Sequence, residues 1–167
     1  MVLLVQYTLI FASVLALVAL GGCFSEHSGV INIGLEGIMV MGALGGALAM
    51  KFLPATTPGI VLFILIVLAS VLVGMVFSLL LGFAAIHFNA DQTLVGTALN
   101  LMGTAAAVVI VRAINVAENP DNVSSTVVYR QAKQVFLIKI GDFEFNWFML
   151  IIVLAIIASH IVLYRTK

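Results

Sequence analysis

The amino-acid sequence predicts an all-α membrane protein of about five transmembrane helices, the second of them preceded by a broken or re-entrant segment. Three observations carry this. Of 167 residues, 63% are apolar and 8% charged, too little charge to cover a soluble domain of this size. The mean hydropathy is +1.28. Uncharged runs near the length of about 20 residues that crosses a bilayer recur along the chain.

Residues 2–20 carry no charge and form the first span. No basic residue precedes the run and no polar mature chain follows it, so it reads as a retained helix rather than a secretory signal. Gly21 and Gly22 are expected to end it. Residues 24–35 are polar and glycine-rich, and Glu36 follows them. Residues 37–50 are uncharged but too short to cross alone. The expectation is an irregular segment feeding a second helix that ends near Phe52. Irregular backbone at membrane depth survives only where protein or a water-filled cavity surrounds it.

Pro54 and Pro58 bracket a turn. Residues 59–86 are uncharged and would reach roughly 42 Å as a helix, against a hydrocarbon core of about 30 Å. Such a helix tilts or projects beyond the lipid. Residues 87–91 form a short polar connection, and 92–111 the fourth span. Residues 112–144 are the one long polar stretch, with Asn119-Pro120-Asp121-Asn122 as a turn signal and strand-like composition over 135–140. Residues 146–164 form the fifth span, with Trp147 and Tyr164 as interfacial anchors.

Lipid gives helices no hydrophobic reason to associate, so small residues mark where they pack. Gly42, Gly45 and Gly46 share one face of the second helix, and Gly42 and Gly46 form a GxxxG pair. Ala12, Ala16 and Ala19 do the same on the first helix. Packing within the chain and a subunit interface both fit these faces. On the fourth helix Thr93, Thr97, Asn100 and Thr104 follow i, i+4, i+7, i+11, flanked by Gly96 and Gly103. An asparagine amide in lipid needs partners, so this stripe faces either an interhelical hydrogen-bond seam or a wet path. Glu36 stands where the irregular segment meets the second helix. There it serves either as an acid at a helix N-terminus or as a path-lining group. Asn32 and Glu26 fall in the same irregular stretch.

Net charge is zero, so no basic field points to nucleic acid. The lone Cys23 excludes an internal disulfide and a multi-cysteine metal site, and reads as a small packing residue. His27, His87 and His160 lack ligand spacing and read as interfacial. No catalytic triad, metal motif, phosphate loop or cofactor motif appears, which argues against an enzyme.

Residues 19–39, Ala-Leu-Gly-Gly-Cys-Phe-Ser-Glu-His-Ser-Gly-Val-Ile-Asn-Ile-Gly-Leu-Glu-Gly-Ile-Met, resemble the signature of permeases from nucleoside and simple-sugar ABC importers. These belong with the ribose and branched-chain amino-acid permeases. Asp91-Gln92 with Gly96-Thr97-Ala98-Leu99-Asn100 resembles a second block, and Tyr164-Arg165-Thr166-Lys167 resembles the approach to the coupling loop. His27 stands where the family has arginine, and Cys23 where it has an aliphatic residue.

The resemblance implies a multi-pass permease of a prokaryotic plasma (inner) membrane. It implies a second permease subunit, cytoplasmic ATP-binding cassette subunits and an extracellular substrate-binding protein as partners, and a small-molecule solute as cargo. Asn32, Glu36, Gln92 and Asn100 would line or shape the path, with ATP hydrolysed by the partner. It further implies a single permease domain over residues 1–167 that stops before the coupling loop, and an extracytoplasmic loop over 113–145. The positive-inside tendency alone favours the opposite orientation; the resemblance places Lys167 inside and, after five spans, Met1 outside. The competing expectation is a structural or assembly membrane protein derived from a truncated permease, which would not transport.

Overall fold

A computed structural model describes residues 2–54, 56–128, 137–140 and 143–165, with side chains for 4–54, 56–128 and 151–162. Among these residues there are five helices: α1 (Val2–His27), α2 (Leu35–Phe52), α3 (Gly59–His87), α4 (Gln92–Glu118) and α5 (Trp147–Arg165). An antiparallel hairpin, β1 (Leu137–Ile140) and β2 (Phe143–Asn146), precedes α5, with Leu137 opposite Asn146 and Ile140 opposite Phe143. Apart from this hairpin, the regular structure among the described residues is all-α. Four of the helices are long and apolar enough to cross a membrane, and α5 adds a shorter apolar stretch, Ile151–Val162. Arg130 and Lys133, and the side chains of the expected anchors Trp147 and Tyr164, lie outside the described residues.

Two helix ends differ from the sequence expectation. Gly21 and Gly22 do not stop α1, which continues to His27. In lipid the backbone has no water to turn to, so a glycine pair that would fray a helix in solution stays hydrogen-bonded. The helix stops where side chains compete for the backbone. Ser28 Oγ donates to the Ser25 carbonyl (2.7 Å), Ser25 Oγ donates to the Val30 carbonyl (2.7 Å), and Gly29 takes a φ of +85°. Gly22 faces Leu35; the next residue, Cys23, points elsewhere and is exposed rather than packed. At the other end of the bundle α4 runs to Glu118, seven residues beyond Val111, so positions 113–118 are helix and not loop. Arg112 ends the uncharged run but not the hydrogen bonding of the helix. Pro120 ends the helix by holding Asn119 extended (φ −149°, ψ 112°).

Helix α2 is packed on both sides, by α3 and by α4, while α1 packs on α5. Phe77 and Leu81 of α3 meet Leu99 of α4 in the core of the trio, with Ile38, Met41 and Val95 around them. Gly42, Gly45 and Gly46 lie against α3. A Cβ on Gly45 would stand 2.8 Å from Val73 Cγ2 and 2.9 Å from the Ala69 carbonyl, and Ser70 Oγ donates to the Gly42 carbonyl (2.7 Å). Apolar side chains such as Ile60, Leu68, Val76, Leu79 and Ile86 stand exposed along α3, the side a bilayer would cover.

Candidate functional site

The candidate site forms where the irregular segment, residues 28–34, lies against the first half of α4. Two glycine contacts let the backbones meet. A Cβ on Gly96 would fall 2.9 Å from Gly34 N and 3.1 Å from Ile33 Cβ. One on Gly103 would fall 2.9 Å from both Gly37 Cα and the Gly37 carbonyl oxygen, and one on Gly37 would run into the Leu99 carbonyl. With the chains this close, two polar side chains of α4 reach the backbone of the irregular segment and of α2. Gln92 Oε1 accepts from Ile31 N (2.7 Å). Asn100 Oδ1 accepts from Gly37 N (2.8 Å), and its Nδ2 donates to the Ile33 carbonyl (3.0 Å).

The Asn100 bond has a definite job. Gly34 is the N-cap of α2 and has no side chain to cap with. The Gly37 N–H, third in the helix, is one of the donors that a helix start leaves free. Asn100 supplies from α4 the cap that Gly34 cannot. The same amide satisfies a carbonyl of the irregular segment, so one side chain settles two backbone groups that lipid would leave stranded.

The polar stripe of α4 therefore divides. Thr97 Oγ1 donates to the Thr93 carbonyl (2.8 Å) and Thr104 Oγ1 to the Asn100 carbonyl (3.0 Å), both within the helix. Gln92 and Asn100 reach across. Asn32 sits beside the Gly34–Gly96 contact: its Oδ1 is buried with no hydrogen-bond partner among the described residues, and lies 3.4 Å from where a Gly34 Cβ would be. Glu36 is exposed in the first turn of α2. Of the four path candidates, the structure brings Asn32, Gln92 and Asn100 onto one junction, and Glu36 is exposed and takes no part in its hydrogen bonds. The corner that launches α4 is built locally. Asn89 takes φ +47°, Ala90 N donates back to the Ala84 carbonyl (3.2 Å), and Asp91 caps α4 by accepting from Thr93 N and Leu94 N.

A family model described as the permease component of branched-chain amino acid transport systems matches residues 4–167. The chain belongs to this permease family. The permease is 45% identical over 116 residues to the guanosine ABC transporter permease protein NupQ of Bacillus subtilis, covering 67% of this chain and 35% of the relative. It is 36% identical over 110 residues to the nucleoside ABC transporter permease protein NupC of Lactococcus lactis, covering 66% and 34%. A putative glucose ABC transporter permease protein of Haloferax volcanii matches at 36% over 101 residues, covering 60% and 29%. The permease thus spans about a third of the length of the curated relatives it matches. No solved structure matches it. Family and helices together make it a multi-pass protein of a prokaryotic cell membrane, and its named relatives are transporter permeases rather than enzymes.

A second polar cluster lies at the far end of α2 and α4, where the sequence had singled out nothing. Lys51 Nζ donates to Asn115 Oδ1 (3.2 Å) and pairs with Glu118 Oε2 (2.9 Å). Asn115 Nδ2 donates to the carbonyls of Ser124 (2.9 Å) and Thr126 (3.0 Å). Asn115 is only 2% exposed. Its signal in the sequence is faint: it stands past the point where the apolar run of the fourth span gives out.

Proposed function

We propose that this permease forms part of the translocation path of an ABC importer for nucleosides or related small solutes, with ATP hydrolysed by a partner subunit. The observation that carries the reading is the irregular segment at residues 28–34, held against α4 by Gln92 and Asn100. Membrane-spanning protein keeps non-helical backbone only where protein surrounds it or a water-filled cavity is lined, and a path is the second case. The named nucleoside permeases among the relatives support the substrate class.

In this reading Asn100 and Gln92 shape the path by fixing the segment. Glu36, exposed at the start of α2, is the group that meets solute or its water, and Asn32, its Oδ1 buried, shapes the path from behind the segment. The extracytoplasmic side carries the loop after α4, where a substrate-binding protein delivers solute. The cytoplasmic side carries the α3–α4 corner.

The test is uptake of radiolabelled guanosine into cells that express the permease with its ATPase and substrate-binding partners, comparing Asn100→Leu with the unaltered protein. Uptake is expected to vanish while membrane insertion persists. Normal uptake by Asn100→Leu would show that the α4 junction is packing alone. Failure of the permease to copurify with any ATPase would favour a membrane protein without transport.

A further inference from the structure

We propose that Lys51 is a positioning residue for the loop that follows α4, acting through the orientation of the Asn115 amide. An asparagine amide offers an acceptor on one side and two donors on the other, and in a buried site its partners decide which way it faces. The Lys51 ammonium is donor-only, so it fixes Asn115 Oδ1 toward α2 (3.2 Å). The NH2 group is thereby turned toward the loop, where it meets two acceptor-only groups, the carbonyls of Ser124 and Thr126. The ammonium and both carbonyls agree on one orientation, and the Ser124 hydroxyl (3.4 Å), which can donate or accept, fits it too, in a side chain 2% exposed. Buried amides that are fully satisfied in this way specify a single arrangement of the segments they join.

Three parts of the chain meet here: the last turn of α2, the last turns of α4 and the irregular segment 123–128. The loop adds local order, with Asn119 Oδ1 accepting from Asp121 N (3.1 Å) and Asn122 Oδ1 accepting from Ser124 N (3.2 Å). Those bonds shape the turn but do not attach it to the bundle. The attachment runs through Asn115. Glu118 is 56% exposed at its side chain, so its pairing with Lys51 is screened by water and adds little. The consequence for transport rests on the proposed function above: the node sets the surface that this loop presents to the protein delivering solute.

The test places spin labels at Leu101 and Ser125, both exposed, in a Cys23→Ala background, and reads the interlabel distance distribution by pulsed electron resonance in lipid nanodiscs. A narrow distribution is expected for the parent and for Lys51→Arg, which remains a donor. Lys51→Met, which frees the amide to flip, is expected to broaden it. Asn115→Asp should broaden it too, because the carboxylate still accepts from Lys51 but has nothing to donate to the loop. Glu118→Gln should leave it narrow. A Lys51→Met distribution matching the parent overturns the proposal, as does a Glu118→Gln distribution as broad as that of Lys51→Met. Should Lys51→Met fail to fold, Asn115→Asp decides alone: an unchanged distribution overturns the proposal. In uptake assays Lys51→Met is expected to raise the KM for the solute-loaded binding protein about tenfold with kcat unchanged, the effect of releasing one buried hydrogen-bonded group. The distance measurement stands whether or not the permease transports, so loss of the proposed function leaves its result readable.

Discussion

Asn100 shows what a single polar residue costs and contributes inside a helix bundle. Its two bonds, to Gly37 N and to the Ile33 carbonyl, satisfy backbone groups that have no other partner among the described residues. Asn100→Asp keeps the acceptor and loses the donor, so a carboxylate would face a carbonyl. The expected cost is about 1 kcal/mol, the usual net worth of one hydrogen bond, read as a lower thermal midpoint in detergent. Asn100→Gln, with a longer arm, is expected to restore little of it, because the glycine contacts on either side fix the gap. The sequence announced Asn100 through its spacing with the threonines. It did not announce that the threonines would bond their own helix, since a hydroxyl and an amide at the same periodicity look alike until reach is considered. Lys51 and Asn115 escaped for a different reason. A charge at the end of an apolar run reads as the membrane boundary, and its partner lies 64 residues away.

At the scale of elements, the junction depends on glycines facing each other across α2 and α4. A methyl group on Gly103 would press on Gly37 at 2.9 Å, backbone against helix, with no flexible side chain to yield. Gly103→Ala is therefore expected to destabilise by about 1–3 kcal/mol, the usual cost of overpacking, whereas Gly82→Ala, which meets nothing within 4 Å, should be neutral or slightly stabilising. Thermal unfolding of the two variants side by side checks this. Asp91→Ala removes the α4 cap and is expected to cost about 1 kcal/mol. The small-residue faces were legible because close packing in lipid has few other solutions. Which helix each face would meet was not legible, because a glycine stripe names no partner. The helix ends were misjudged wherever aqueous intuition was applied to backbone in lipid: the α1 glycines stayed helical, and α4 outran its apolar stretch.

For the whole molecule, the order of the five helices followed from the apolar runs, four of them long and apolar enough to cross a membrane, since a bilayer tolerates few alternatives for a backbone that must hydrogen-bond to itself. The arrangement in which α2 sits between α3 and α4 while α1 keeps company with α5 could not be read in advance. Orientation is open to direct measurement. Ser125→Cys in a Cys23→Ala background is expected to react with an impermeant maleimide in intact cells, and labelling only after lysis would reverse the topology proposed here.

The shortness of α2 bears on how the protein is made. At 18 residues, with Glu36 at its start and Lys51 at its end, it is the least apolar of the four candidate spans. Its Gly37 N–H is capped by a residue of α4 that the ribosome has yet to add. A released chain truncated after Pro54 should therefore fail to carry a C-terminal reporter across the bilayer on α2, and extension through Asn119 should let α2 cross. The second helix to be synthesised becomes secure only once the fourth has emerged.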